Sequence, residues 1–129
     1  WTPIPGTEKA FDVDVVCIAA GLRPTSELAW MAGVKHIFVP ELGGWMPQHS
    51  ENMQTSVKGI YVAGDTAGVE EASTAMDEGR LAGISIAESL GYLTTKESAE
   101  TRQRLMALRM GPFGDKRRNA KDRIMGGGC

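Results

Sequence analysis

Two apolar runs, separated by a hairpin pattern, dominate the first half of the chain. Residues 11–20 (FDVDVVCIAA) begin as an alternating pattern and then become apolar on both faces, which is typical of a central strand in a parallel sheet. A second run at 59–63 predicts another buried strand. Between them, the short runs 36–39 and 45–46 flank a glycine-containing turn and predict a β-hairpin.

Helical periodicity dominates the second half of the chain and occurs once before it. Helices are predicted at 26–31, 74–90, 95–110 and 115–125. The first is short and has Ser26 as its candidate N-cap. The third is expected to be anchored by its larger apolar residues, Leu105, Met106 and Leu108.

The predicted helix at 74–90 has an unusual apolar stripe. Ser73 or Thr74 can cap its start, and Gly91 can end it. A helix with small residues on its buried face can approach a sheet or a ligand closely. The stripe expected to be buried consists of Ala75, Gly79, Ala82, Gly83, Ile86 and Leu90.

The composition is that of a soluble globular protein, with 42% hydrophobic and 23% charged residues. No apolar run approaches the ~18 residues of a membrane span, so no membrane association is expected. Cys17 lies inside an apolar run and is expected to be buried, and Cys129 is expected to be a free thiol. Two cysteines cannot form a disulfide framework, which favours a reducing, cytoplasmic location.

The charge is distributed unevenly, although the net charge is only −2. Residues 1–98 contain 6 Lys and Arg against 13 Asp and Glu, whereas residues 99–129 contain 8 against 3. The basic tail has three interpretations: a solvated helix face, a docking surface for an acidic partner subunit, or a nucleic-acid contact. The last is disfavoured because the tail has one aromatic residue, Phe113, and no known reader pattern, so no nucleic-acid partner is expected.

The sequence predicts no catalytic role for several charged and histidine side chains. Glu70 and Glu71 are expected to be solvated, with a substrate amine as the alternative partner. Arg80 is expected to pair with Asp77 at i+3. His36 and His49 lie in unrelated segments without a partner pattern, so no proton-transfer role is predicted for them.

The predicted strand, turn and helix at 59–90 bring a carboxylate close to a helix N-terminus. Gly64 permits the sharp turn, and Asp65 then lies at the rim where open α/β sheets bind ligands. A carboxylate can accept a hydrogen bond from a ligand hydroxyl, and the unpaired N–H groups of a helix start favour an electron-rich group. The plain alternative is a turn with a solvated aspartate. Thr55 is expected to hydrogen-bond its own loop, a structural role that is compatible with either interpretation.

These residues resemble a cofactor-binding motif of a known enzyme family. The stretch 55–65 matches, position by position, the second FAD-binding motif of the pyridine nucleotide-disulfide oxidoreductases. It consists of Thr55, four mixed residues, four mostly apolar residues and Gly64-Asp65. The stretch 13–24 (VDVVCIAAGLRP) resembles the family's other late motif, where the NAD(P) domain returns to the FAD domain. Within the family, the chain is most similar to the α subunits of sarcosine, opine and cyanide-forming oxidases.

The resemblance implies that the chain is the C-terminal part of a longer flavoprotein. The implied fold class is α/β: an incomplete Rossmann-like portion of an FAD domain with parallel strands, a β-hairpin and flanking helices, followed by a helical tail. Residues 1–24 would end the NAD(P)-binding domain and form the return connection, 25–92 would belong to the FAD-binding domain, and 93–129 would be the basic tail. The expected partners are the rest of the flavoprotein chain and either a second subunit or another copy, paired through exposed sheet edges.

The resemblance also assigns roles to residues. Asp65 would bind the ribityl chain of FAD, and main-chain N–H groups at the start of the next helix would approach the flavin's pyrimidine edge. Residues 21–24 would form part of the wall between the two nucleotide domains. No catalytic residue and no metal ligand is predicted. The implied cofactor-binding residues are Gly64, Asp65, Ser73, Thr74, Ala75, Gly21 and Pro24.

Two family features are missing from the chain. No GxGxxG occurs, either for FAD or for NAD(P), so the isolated chain is expected to bind FAD weakly or not at all and to be inactive. NAD or NADP would be bound mainly by the missing part. No CxxC occurs, which favours a dehydrogenase or oxidase that links NAD(P)H or an amine or amino-acid substrate to the flavin. Two alternatives stay open: a thioredoxin-reductase-like enzyme with its CxxC upstream, and a non-catalytic module that binds a partner through the basic tail.

Overall fold

The computed structural model describes residues 2–92, 95–110 and 112–125, which contain four helices and one hairpin. Short 3-10 turns at Pro40–Leu42 and Gly64–Ala67 complete the regular structure of this part of the chain. The elements are α1 (Glu27–Met31), β1 (His36–Val39), β2 (Gly44–Pro47), α2 (Ala72–Ser89), α3 (Thr95–Leu108) and α4 (Pro112–Met125).

The predicted hairpin is confirmed. Strands β1 and β2 pair antiparallel, with His36 opposite Pro47 and Val39 opposite Gly44. The buried side chains Val39 and Met46 lie on one face, whereas Phe38 and Trp45 are about half exposed on the other. The alternation of buried and exposed residues is that expected when one face of an antiparallel pair packs on a core.

The predicted parallel strands are absent from the described residues. Residues 11–20 have no regular secondary structure, and their main chain makes no hydrogen bond to another described residue. Their apolar side chains are exposed, including Val15 at 75% and Ile18 at 86%, and Cys17 is exposed rather than buried. A strand needs a neighbouring strand to satisfy its N–H and C=O groups, and the described chain does not supply one here. Cys129 lies outside the described residues.

The run 59–63 is also not a regular strand. It turns back antiparallel on the preceding loop through a single bridge between Gln54 and Tyr61 and a hydrogen bond from the Val62 N–H to the Met53 carbonyl, at 3.0 Å. Val62 and Met53 are nonetheless buried. The apolar run therefore predicted burial correctly and strand pairing incorrectly.

Helix α2 is present as predicted, but it buries a different face. The exposed residues Gly79 and Gly83 belong to the predicted stripe, of which Ala82 is the only fully buried member. Leu81 enters the core from the face that is buried, and the acidic residues Asp77 and Glu78 are buried with it. The buried residues are Thr74, Asp77, Glu78, Leu81, Ala82 and Ser85.

The two C-terminal helices pack on different parts of the body. Leu105 of α3 joins a core with Leu81 of α2, whereas the other predicted anchors, Met106 and Leu108, are about half exposed. Helix α4 packs Ala120 and Ile124 against the buried face of the hairpin. None of the helices in the described part of the chain is both long and apolar enough for a bilayer span.

The junction between α3 and α4 depends on a close backbone approach. A Cβ built on Gly114 would lie 2.4 Å from the carbonyl of Arg109, closer than side-chain carbons come to backbone. Only glycine therefore fits this position without a shift. The tight junction brings the end of α3 and the middle of α4 to the same side of α2.

Candidate functional site

The 3-10 turn Gly64–Ala67 is tied directly to α2. Gly64 has φ +66, in the left-handed region that favours glycine, and its N–H donates a hydrogen bond to Oε2 of Glu78 at 2.8 Å. A Cβ built on Gly64 would lie 3.4 Å from the Cβ of Ala75, so the turn packs against the first turn of the helix. Asp65, the next residue, is exposed. Its carboxylate therefore lies at the surface, close to the start of α2.

The start of α2 has uncapped main-chain N–H groups. The N-cap residue is Glu71, and no side chain of the described residues forms a capping hydrogen bond there, so the prediction of Ser73 or Thr74 as the cap is wrong. The Ala75 N–H donates to the Glu71 carbonyl at 3.0 Å, which is the first bond of the helix. The N–H groups of residues 72–74 precede this bond and carry the partial positive charge of a helix N-terminus.

The second predicted motif lies partly at the same place. The Thr66 hydroxyl donates to the Thr25 carbonyl at 3.5 Å, which joins the segment after Pro24 to the Gly64–Ala67 turn. Pro24 is buried. Gly21 is exposed, and a Cβ built on it would meet no described atom within 4 Å. The structure thus brings Pro24 near the turn and leaves Gly21 away from it.

Thr55, the first residue of the motif, has a local structural role. Its hydroxyl donates to the Val57 carbonyl at 3.1 Å and accepts from the Val57 N–H at 3.2 Å. Its own N–H donates to the Ile60 carbonyl at 2.8 Å. Thr55 therefore closes the loop that leads into the apolar run, which confirms the prediction that it bonds its own loop.

Four buried charges lie behind the turn and form a cluster of Glu70, Glu78, Arg109 and Lys121. Oε1 of Glu78 accepts from Arg109 at 2.5 Å and from Lys121 at 2.8 Å. Arg109 donates two hydrogen bonds to Glu70, both at 3.2 Å, and the Lys121 ammonium lies 3.4 Å from the same carboxylate. Both Glu78 and Lys121 are 1% exposed. The charges balance, as buried ions require.

This charge cluster is attached to the main chain of the turn. The Lys121 ammonium donates to the Ala67 carbonyl at 2.9 Å, and Glu78 accepts from the Gly64 N–H. The Gly64–Ala67 turn is therefore held at both ends by charged side chains. The expectation that Glu70 is solvated or free for a substrate amine is wrong, because its side chain is 5% exposed and paired with Arg109.

The basic tail is not simply a solvated helix face. Arg104 of α3 forms two hydrogen bonds to Asp77, at 2.5 and 3.1 Å, so the predicted pair of Asp77 with Arg80 is wrong. Arg123 pairs with Glu41, and Arg117 donates to the Val69 carbonyl. Arg104 and Arg123 thus pair positive charges of the tail with negative charges of the body.

A cavity of about 220 Å³ opens beside the charge cluster. His49 lines it and is 4% exposed, with its Nδ1 2.9 Å from the Ser50 carbonyl. Burial lowers the pKa of His49 below its ordinary value, more than the hydrogen bond to Ser50 raises it. His49 is thus a buried neutral imidazole, which the sequence did not predict because the surrounding loop is polar.

The chain belongs to the pyridine nucleotide-disulphide oxidoreductase family, whose model matches residues 2–79. This confirms the family that the two motifs indicated. The match includes the Gly64–Ala67 turn and the first half of α2, and it ends before α3 and α4.

Curated relatives match between 61% and 80% of the chain. An opine oxidase subunit of Rhizobium meliloti (strain 1021) is 37% identical over 84 residues, which are 65% of this chain and 18% of that protein. NADH oxidase of Methanocaldococcus jannaschii is 37% identical over 90 residues, 61% of this chain and 19% of that protein. Hydrogen cyanide synthase subunit HcnB of Pseudomonas protegens is 25% identical over 103 residues, 80% of this chain and 22% of that protein. The chain spans about a fifth of the length of these relatives. No solved structure matches it significantly.

Proposed function

We propose that this chain is part of the FAD site of a flavin-dependent oxidoreductase of the dehydrogenase or oxidase type. The complete protein would link NAD(P)H, or an amine or amino-acid substrate, to the flavin. The proposal is supported by family membership and by relatives named as an NADH oxidase and as a subunit of opine oxidase. Two of the relatives are named as subunits, which also supports an assembly with other chains.

The single observation that carries the proposal is the position of Asp65. An exposed carboxylate follows a left-handed glycine that packs against an uncapped helix start. These groups fit a ligand that has hydroxyl groups next to a ring with hydrogen-bond-accepting carbonyl oxygens, as FAD has. When bound, FAD would supply the two-electron chemistry, and the protein would supply orientation and electrostatics.

Each residue of the site has a distinct role in this proposal. Asp65 would accept hydrogen bonds from the ribityl hydroxyls. The N–H groups of residues 72–74 would face the pyrimidine edge and stabilise negative charge there. Ala75 would act by packing against Gly64, since its own N–H already donates within the helix. Pro24 would belong to the neighbouring wall.

The exposed apolar segment 11–20 supports a further part of the proposal. Its side chains are of the kind that a sheet buries, and its main chain has no partner in the described chain. We propose that the rest of the flavoprotein chain covers it. The alternative of an interaction module based on the basic tail is weakened, because Arg104, Arg109 and Lys121 are engaged within the chain.

The test is the variant Asp65→Ala in the full-length flavoprotein. Loss of a hydrogen bond to a charged acceptor costs about 1–3 kcal/mol, so the Kd for FAD should rise roughly 5- to 150-fold. Flavin content and Kd are measured by absorbance and by fluorescence titration. The control is Glu97→Ala, which removes an exposed carboxylate from the first turn of α3. An unchanged Kd in Asp65→Ala would remove this residue from the site.

A further inference from the structure

We propose that α4 is a positioning element for the flavin site and that Lys121 is its positioning residue. This inference rests on the proposed function. It concerns residues that lie beyond the family match, which ends at residue 79. According to this inference, the docking of α4 and the binding of FAD stabilise each other.

The ammonium group of Lys121 contacts three polar groups around the turn. Its ammonium contacts the Ala67 carbonyl at 2.9 Å, Glu78 at 2.8 Å and Glu70 at 3.4 Å. These contacts use the three donors of an ammonium group. Lysine is rarely buried unless it is paired, and this side chain is 1% exposed. The contacts hold both the end of the Gly64–Ala67 turn and the segment that leads into α2.

Helix α4 reaches the turn because the hairpin supports it from the other side. Ile124 and Ala120 are fully buried against Val39, Leu42 and Met46. The stem of Lys121 also fills the space beside Gly68, since a Cβ built on this glycine would lie 3.4 Å from the Lys121 Cε. The helix therefore joins the hairpin to the turn that carries Asp65.

Removing Lys121 would leave the turn with a charge imbalance. The remaining cluster of Glu70, Glu78 and Arg109 would carry one excess negative charge in a buried position, and the Ala67 carbonyl would lose its donor. Buried ions without a partner draw in water or reorient. The turn would then be ordered in a smaller fraction of the molecules. Part of the free energy of FAD binding would be used to order it, so the affinity for FAD would fall.

The test compares Lys121→Met with Lys116→Met in the full-length flavoprotein. Methionine keeps the length and apolar stem of lysine, and Lys116 is an exposed residue of the same helix. In Lys121→Met we expect faster amide hydrogen exchange at residues 64–71 and a Kd for FAD raised roughly 5- to 150-fold, the usual range for coupled sites. Exchange at Thr55, Val57 and Ile60, whose N–H groups are hydrogen-bonded within their own loop, is the internal reference for global loosening. Lys116→Met should match the wild type in both measurements.

A second measurement needs no variant. Because coupling between two sites is reciprocal, saturating FAD should slow amide exchange in α4 of the wild-type protein, and by more than it slows exchange at residues 55–60. FAD binding also stabilises the folded state as a whole, so equal protection of α4 and of residues 55–60 would indicate a purely structural role of Lys121. Unchanged α4 exchange on FAD binding, or an unchanged Kd in Lys121→Met, would overturn the inference and leave the proposed function intact. A wild-type protein that binds no FAD would instead refute the proposed function, and unchanged exchange at 64–71 in Lys121→Met would then refute the positioning role of Lys121 as well.

Discussion

The substitution Glu78→Gln tests whether the buried charge cluster holds the protein together. Glu78 accepts three hydrogen bonds, from the Gly64 N–H, Arg109 and Lys121. Glutamine has nearly the same shape, but it offers one acceptor oxygen where the carboxylate has two. The cluster would change from two negative and two positive charges to one negative and two positive. The variant thus leaves a buried positive charge without a counterion.

The expected cost is large relative to the stability of a domain of this size. Removing one partner of a buried ion pair costs about 3–5 kcal/mol, against total stabilities of about 5–15 kcal/mol. For a chain of this length, each kcal/mol lowers Tm by about 3–5 °C, so we expect a decrease of about 10–20 °C. The control Glu71→Gln alters an exposed carboxylate directly before α2 and should shift Tm by only a few degrees.

The assay is urea and thermal unfolding of the wild type, the two single variants and the double variant Glu78→Gln/Lys121→Met. The double variant restores charge balance between Glu70 and Arg109, so it should be less destabilised than the sum of its single variants, by about 1 kcal/mol or more. A Glu78→Gln variant within about 1 kcal/mol of the wild type would show that the cluster is solvated rather than buried. Strict additivity in the double variant would refute the direct coupling of Glu78 with Lys121.

Three further outcomes follow from the packing and the titration of single residues. Ile124→Ala should cost about 2–5 kcal/mol and release α4 from the hairpin, seen as protease cleavage within α4 that the exposed-site variant Lys116→Ala does not show. Gly64→Ala should cost about 1–2 kcal/mol because alanine is strained at φ +66, whereas Gly83→Ala, in an open position of α2, should be neutral or stabilising in urea unfolding. Burial lowers the pKa of His49 in the folded protein, so the unfolded chain binds a proton first as the pH falls through about 6.5, and stability should decrease as the pH falls through and below this value. His49→Gln should flatten this dependence, and an equally steep one would assign it to other groups.

The local elements of this chain could be predicted from its sequence because they depend on neighbouring residues. The hairpin follows from two short apolar runs around a glycine turn, and α2 follows from its periodicity. The motif from Thr55 to Asp65 identified the family. Its spacing is specific because Thr55 closes the loop through hydrogen bonds to residues a few positions away. By contrast, residues 11–20 have the composition of a buried strand but do not form one in the structure. A strand forms only where a partner strand satisfies its N–H and C=O groups.

The sequence by itself determined the family, the hairpin, the helices and the left-handed turn before Asp65, because each is specified by residues a few positions apart. Only the tertiary structure decided which charges meet. Glu78 and Lys121 are 43 positions apart, and no local pattern links them. Leu81 indicates which side of α2 enters the core, but partners for the acidic residues on that side depend on how α3 and α4 fold back. Burying a charge is costly unless an opposite charge arrives with it, and that condition is met only in three dimensions.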